Sequence, residues 1–173
     1  MRKNHSFGLK RLVMLSMFTA LFVVLERFLS FNVWNMRIGF AFVPLACSAI
    51  LYGALPAAAV GACGDILGMM LFPTGPYFPG FTLNAALTGI VFGLLLRKKQ
   101  APPQIAAAVL INQLTLSLFL QTLWISVTYG SPYGALLPVR LTQCLIMIPV
   151  QFVVLLLVAK PFLQAARRMQ LSV

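Results

Sequence analysis

Hydrophobic residues fill long stretches of this chain, and few charged side chains interrupt them. Three runs contain no charged residue: 38–64, 66–96 and 100–139. Each is longer than the ~20 apolar residues that a helix needs to cross the hydrocarbon core of a bilayer. Segments such as FVVL and FVVLLLVA do not alternate apolar and polar positions, as the strands of a membrane β-barrel would. The pattern therefore predicts transmembrane helices.

Glycine and proline divide the runs, since both residues interrupt helices. We predict six helical spans at 9–29, 38–52, 57–71, 82–96, 105–128 and 139–163, with Pro44 kinking the second. They are joined on one side by FNVWNM (31–36), FPTGPYFPGF (72–81) and YGSPYGALLP (129–138), which we predict to be a short turn and two irregular loops. The predicted fold is an all-α membrane protein, one compact six-helix bundle over residues 1–173.

The charge distribution orients this bundle. Only 9% of residues are charged, against about 25% in a soluble domain. Ten of the thirteen Lys and Arg residues fall in three clusters beside hydrophobic spans, namely Arg2, Lys3, Lys10 and Arg11, then Arg97, Lys98 and Lys99, then Lys160, Arg167 and Arg168. Basic flanks of this kind stay in the cytoplasm, so both termini are predicted cytoplasmic and the three segments above external. The net charge of +11 is explained by these flanks, and no nucleic-acid partner is expected.

Small residues recur at four-residue spacing, which lets helices approach closely in lipid. The third and fourth spans carry Ala57, Gly61 and Asp65, then Gly64 and Gly68, then Ala85, Gly89 and Gly93. In the first span Ser16 and Ala20 have the same spacing. That pair forms a flat face either for a partner helix or for another helix of this chain.

Unusual polar residues concentrate in the predicted outer half of the spans. Asp65 lies seven residues before Phe72, roughly 10 Å below the outer end of its helix. The others are Glu26, Arg27, Arg37, Asn84, Gln121, Trp124 and Arg140. Charges inside a bilayer are expensive and usually functional. The alternatives are a structural ion pair for Asp65, snorkelling to water for Glu26 and an interfacial aromatic belt for Trp124 and the loop aromatics.

These residue types suit an aromatic heterocycle that also carries carboxylates. Aromatic side chains would stack on the rings, and Asp65 would accept paired N–H donors. Arg27, Arg37 and Arg140 are candidates to bind carboxylates with their guanidinium groups. Tyr77 and Phe78, framed by prolines and glycines, would form a lid.

The stretches LERFLS, RIGF, GDILG and above all FPTGPYFPGFTLNAALTG resemble a known family. They are similar to the substrate-binding S components of energy-coupling factor (ECF) vitamin transporters, in particular the folate-specific branch. The resemblance covers the whole chain and departs at Glu26, where the family has a smaller residue.

The resemblance implies a multi-pass protein of the bacterial cell membrane, with six helices and cytoplasmic termini, that captures folate from outside. It also implies partners: a transmembrane coupling protein, docked on the face of Ser16 and Ala20, and two ATPase subunits that use the ATP.

Other functions are less consistent with the sequence. The chain has no GxxxxGK[ST] phosphate-binding loop, and two acids with one His leave little for acid–base catalysis. No enzyme activity, metal site or bound cofactor is therefore expected. Two alternatives stay open: an S component for thiamine or a related pyrimidine, and a six-span scaffold of the cell-wall elongation machinery.

Overall fold

The computed structural model describes residues 3–33, 36–73, 75–97 and 100–168; at 3–7, 31–33, 36–38 and 165–168 it describes the backbone only. Helix α1 (Lys3–Arg27) leads into a hairpin of β1 (Phe31–Val33) and β2 (Met36–Ile38). There follow α2 (Phe42–Tyr52), α3 (Ala54–Leu71), α4 (Pro79–Leu96), α5 (Pro102–Ile111), a π-helical segment (Asn112–Gln121), α6 (Thr122–Tyr129) and α7 (Tyr133–Arg168).

The helices have the lengths and composition that a membrane requires. Within the described ranges, five are long and apolar enough to cross a bilayer: Gly8–Arg27, Ala54–Leu71, Pro79–Leu96, Pro102–Tyr129 and Tyr133–Gln164. Helix α2 is apolar but has only 11 residues, about 16 Å of helix. Ten of those residues are buried, so the second predicted span forms the centre of the bundle.

Helices α3 and α4 pack against each other more extensively than any other pair of described elements. Glycines make this contact close. A Cβ added at Gly61 would lie 2.5 Å from the Ala85 carbonyl oxygen, and one at Gly89 would lie 2.6 Å from the Ala57 carbonyl carbon. The predicted close packing of small residues is thus confirmed for this pair, because backbone fills the space where side chains would otherwise stand.

Helix α1 packs along a second glycine row of α3. The Phe22 ring occupies the space above Gly64, and the Arg27 guanidinium lies against Gly68. Phe22 is buried and joins the hydrophobic core with Leu45 of α2 and Phe92 of α4. Gly61 therefore lets α3 approach α4 on one side, and Gly64 and Gly68 let it approach α1 on the other.

Two proline predictions were wrong. Pro44 does not kink α2, because the helix begins only at Phe42 and Pro44 lies in its first turn, where its missing N–H has no partner to lose. The segment 129–138 is not a loop throughout, since α7 begins at Tyr133 and contains Pro138. Pro138 is the sixth residue of α7, so the helix continues through it without the hydrogen bond that an N–H at this position would donate to residue 134.

The predicted turn at 31–36 contains residues 34 and 35, which lie outside the described residues. The residues on either side form two strands, paired antiparallel so that Phe31 is opposite Ile38 and Val33 is opposite Met36. Residues 36–38 therefore belong to a strand and not to the second helix, which shortens that helix from its predicted start at 38.

Candidate ligand cavity

A partly open cavity of about 320 Å³, lined by both polar and apolar residues, lies between the helices, and its volume is within the range of roughly 300–1,000 Å³ that is common for small-molecule sites. We define the loop end as the end of the bundle that holds the hairpin, the α3–α4 loop (72–78) and the α6–α7 connection (130–132). The cavity reaches from Pro76 and Tyr77 at the loop end to Thr88 and Gln151 deeper in the bundle. Helices α1, α3, α4, α6 and α7 and the π-helical segment all contribute lining residues.

A chain of hydrogen bonds forms the wall of the cavity near the loop end. Asp65 of α3 is 6% exposed, and its Oδ2 accepts a hydrogen bond of 2.7 Å from the Thr82 hydroxyl in the first turns of α4. The Tyr77 hydroxyl lies 3.3 Å from the same Thr82 oxygen. A buried carboxylate, a threonine and a loop tyrosine are thereby connected at the edge of the cavity.

Two further charged residues, Glu26 and Arg27, line the cavity from the end of α1. A Cβ at Gly68 would lie 2.9 Å from Arg27 Nε, so the absence of a side chain there makes room for the guanidinium. Gly68 and Asp65 are three residues apart, about 4.5 Å along α3. The Arg27 guanidinium therefore lies against the same turn of α3 that carries the Asp65 carboxylate.

Uncharged amides and a hydroxyl form the deeper part of the cavity. The Thr88 hydroxyl of α4 donates to Asn112 Oδ1 at 3.0 Å, and Asn112 Nδ2 donates to Gln151 Oε1 of α7 at 3.4 Å. All three residues are buried. Buried polar groups that are bonded to each other keep fixed orientations, so this amide floor presents a defined set of donors and acceptors.

The π-helical segment supplies one side of the cavity. It carries Asn112, Gln113, Ser117 and Gln121, all of which line the cavity. Ser117 donates to Gln121 Oε1 at 3.4 Å. Segments of π-helix occur often at functional sites, and here the wider turn brings four polar side chains of one helix to one cavity.

The structure brings together five of the predicted binding residues: Arg27, Asp65, Tyr77, Asn84 and Gln121 all line the cavity. The Asn84 side-chain oxygen is buried and accepts no hydrogen bond among the described residues. Such an acceptor is available to a bound molecule.

Three other predicted residues lie behind the lining, as far as the described residues define it. Phe78 and Trp124 pack against each other with ring centroids 5.5 Å apart and ring planes tilted by 45°, and they anchor the start of α4 to α6. Arg140 is buried and donates from Nη1 to Gln143 Oε1 at 3.1 Å; Gln143 lines the cavity. Arg37 lies on β2 opposite Asn32, and its side chain is outside the described part of the structure.

The sequence did not predict the amide floor, Thr82, or the lining residues Gln113, Ser117 and Gln143. A signal for some of them was present, because Gln113 and Ser117 precede the predicted Gln121 at four-residue spacing, and Gln143 and Gln151 are eight residues apart. Both spacings place polar side chains on one helical face. Thr82 carried no such signal, since its partners Asp65 and Tyr77 belong to other elements.

A separate apolar groove of about 650 Å³ lies between α1 and α3. It is lined by Ser16 and Ala20, both exposed, together with Ala59 and Cys63 of α3. The Ser16 hydroxyl bonds to the Leu12 carbonyl oxygen of its own helix. Among the described residues, this face of α1 therefore does not serve internal packing.

Apolar helices surrounding a buried, mixed-charge cavity define a helical membrane protein that binds a small molecule. Comparison with known proteins agrees: residues 6–168 match the family model described as "ECF-type riboflavin transporter, S component". The chain belongs to this S-component family, whose members are transporter subunits and not enzymes.

Named relatives give further detail. The chain is 39% identical over 134 residues to the folate transporter FolT of Clostridium novyi, covering 77% of this chain and 78% of the relative. It is 28% identical over 149 residues to FolT of Leuconostoc mesenteroides, covering 82% and 80%. A crystal structure of FolT bound with folic acid superposes with a TM-score of 0.83 at 30% identity, covering 88% of this chain and 93% of that one.

Proposed function

We propose that this chain is the folate-binding S component of an ECF-type importer, which captures folate outside the cell for ATP-driven uptake by separate subunits. The observation that carries the proposal is the buried Asp65 beside Arg27 in one cavity with an amide floor. The likeness to two FolT transporters and to the folic acid complex supports the same ligand.

The chemistry of the cavity favours folate over riboflavin, the vitamin in the description of the family model. The pterin of folate presents adjacent ring and amino N–H donors, which match the two oxygens of a carboxylate such as Asp65. Riboflavin presents a single imide N–H between two carbonyl oxygens, and those oxygens would repel a carboxylate. Folate also carries two carboxylates that arginines can bind, whereas riboflavin carries none.

Thiamine fits less well for a different reason. Its aminopyrimidine offers N–H donors to Asp65, but its thiazolium ring carries a fixed positive charge and the molecule has no carboxylate. Arg37 and Arg140 would then have no ligand carboxylate to bind.

Within this proposal each polar region has a task. Asp65 accepts the N–H donors of the pterin, and Arg27, one turn of α3 away, donates to acceptors of the same ring system. Asn84 and Gln121 form hydrogen bonds with the remaining polar edge of the ring system. Arg37 binds the glutamate tail directly, and Arg140 acts on the tail through Gln143.

The aromatic residues near the loop end retain the ligand. Tyr77 lines the cavity directly. Phe78 and Trp124 hold the start of α4 in place through their ring contact, so that the loop before it can cover the bound vitamin.

The membrane arrangement is part of the proposal. We infer one domain of six spans, with α2 as the short second span, in the bacterial cell membrane. The loop end then faces outward and both termini are cytoplasmic, since the basic clusters flank the opposite ends of the spans. The energising partners are a transmembrane coupling protein, docked at the groove of Ser16 and Ala20, and two ATPase subunits.

A ligand panel tests the proposed function. The detergent-purified protein is titrated with folate, riboflavin and thiamine by calorimetry, and its co-purified ligand is identified by mass spectrometry. Folate is expected to bind with at least about 100-fold higher affinity than the others, a difference of about 2.7 kcal/mol. Binding of riboflavin without folate would reassign the vitamin, and binding of none of the three would overturn the assignment of folate.

A further inference from the structure

Thr82 makes an unusual hydrogen bond for a helical threonine. Three other threonines, at positions 19, 128 and 142, each bond back to the carbonyl oxygen four residues earlier in their own helix. Thr82 instead bonds Asp65 on a neighbouring helix at 2.7 Å. Its hydroxyl thus contributes to a contact between helices and not to the local backbone.

The donor and the acceptor in each of these two hydrogen bonds follow from the chemistry of the groups. A carboxylate only accepts hydrogen bonds, and a hydroxyl carries one proton. Thr82 therefore donates its proton to Asp65 Oδ2, and its oxygen accepts from the Tyr77 phenol at 3.3 Å. The order Tyr77 to Thr82 to Asp65 is the one that satisfies all three groups.

This order has a consequence for the binding carboxylate. A short bond from Thr82 to Oδ2 fixes the rotation of the Asp65 carboxyl group and hence the direction of Oδ1. Asp65 lines the cavity, so the orientation of its oxygens decides how well paired N–H donors fit. Tyr77 is 52% exposed and belongs to the α3–α4 loop, so the position of that loop is connected to the same carboxylate.

We propose that Thr82 is a positioning residue that couples the α3–α4 loop to the ligand-binding carboxylate. Its hydroxyl orients the Asp65 carboxylate toward the heterocycle. Because the same hydroxyl accepts a hydrogen bond from Tyr77, the orientation of the carboxylate and the position of the α3–α4 loop depend on each other. This inference rests on the proposed function, in which Asp65 accepts the N–H donors of folate. Thr82 itself need not contact the ligand.

The first experiment compares Thr82→Val, which keeps the shape and removes the hydroxyl, with Thr82→Ser, which keeps the hydroxyl. Each variant is titrated with folate and with a folate analogue that lacks the 2-amino group. Thr82→Val is expected to weaken folate binding about tenfold, the effect of one charge-assisted hydrogen bond. The analogue should lose at most about twofold, because it has fewer donors for Asp65 to accept, and Thr82→Ser should bind both ligands like the wild type.

A second experiment needs no ligand. Amide hydrogen exchange of residues 75–81 is measured in the purified wild type and in Thr82→Val, Tyr77→Phe, the double variant and Thr82→Ser. Exchange should accelerate about equally in Thr82→Val and in Tyr77→Phe, and no further in the double variant, because both substitutions break the same connection. Thr82→Ser keeps the hydroxyl and should exchange like the wild type.

The outcomes separate the two proposals. Equal losses for folate and the analogue in Thr82→Val, or additive exchange effects in the double variant, would overturn the positioning role while folate binding by the wild type stands. A wild type that binds no folate would overturn the proposed function. The exchange pattern would then still decide whether Thr82 couples the loop to Asp65.

Discussion

The Arg27 guanidinium at the end of α1 lies against the backbone of Gly68 in α3, where an added Cβ would come within 2.9 Å of Nε. The space left by a missing side chain thus holds a charged group that lines the cavity. Gly68, the last residue of the GDILG motif, therefore serves the binding site as well as helix packing.

This relationship predicts the effect of Gly68→Ala. The new methyl group has to displace the Arg27 guanidinium, which is the end of a flexible side chain and can move at little cost to the fold. We expect folate affinity to fall about tenfold by calorimetry, with little change in the melting temperature. Gly134→Ala is the matched control, because a Cβ there would meet nothing within 4 Å. Unchanged affinity in Gly68→Ala would show that the position of Arg27 is not required.

Asp65→Asn tests the acceptor of the heterocycle. The amide keeps the shape but replaces one acceptor oxygen by a donor and removes the charge, a loss of about 1.5–3 kcal/mol. Folate affinity should fall by roughly 10- to 150-fold, while the melting temperature without ligand changes little. Full affinity in this variant would leave Asp65 as a structural partner of Thr82 only.

Replacing Tyr77 or Phe78 with Ala tests retention by the loop. Tyr77 lines the cavity and Phe78 packs on Trp124, so we expect the dissociation rate of folate to rise several-fold and the association rate to change less. Stopped-flow fluorescence measures both rates. Phe119→Ala is the control, since Phe119 is exposed and lies outside the cavity lining. Release at the wild-type rate would assign the two aromatics to the membrane interface.

Ala20→Trp tests the docking groove. Ala20 is exposed between α1 and α3, so an indole there should leave folding and folate affinity intact but block a partner helix. Uptake by cells that contain the complete transporter should be lost, and the ATPase subunits should no longer co-purify. Leu94→Trp, at an exposed position outside the groove, is the control. Parallel loss of folate binding and uptake in Ala20→Trp would argue against docking at this face.

Single cysteines test the orientation in the membrane. They are introduced at Pro76, Ser131 or Gln100 in a background without native cysteines, because Cys63 is exposed. Pro76 is preferred to Gly75, where a side chain would contact Tyr129 Oη. An impermeant thiol reagent should label the first two positions on intact cells and spare Gln100. The reverse pattern would place the cavity on the cytoplasmic side.

Much of the architecture could be predicted from the order of residues alone. Charge-free runs longer than a bilayer span predict helices because unpaired backbone groups are intolerable in lipid. The small-residue spacing that includes Gly61 and Gly89 predicted close helix approach, and the structure assigns it to α3 against α4, because only a missing side chain permits backbone contact at that distance. Asp65 and Arg27 were recognisable because charge is rare and costly in such segments.

The tertiary structure alone determined which polar residues meet. Thr82 meets Asp65, Thr88 meets Asn112, and Asn112 meets Gln151 only after α3, α4, the π-helical segment and α7 have packed in a particular rotation. Nothing in the local sequence specifies that rotation, since it depends on side chains far apart in the chain. The same holds for Phe78 and Trp124, which sequence analysis placed in the binding site and which pack on each other behind it. Local pattern therefore determined the helices and the charges worth attention, whereas long-range packing determined the cavity they form.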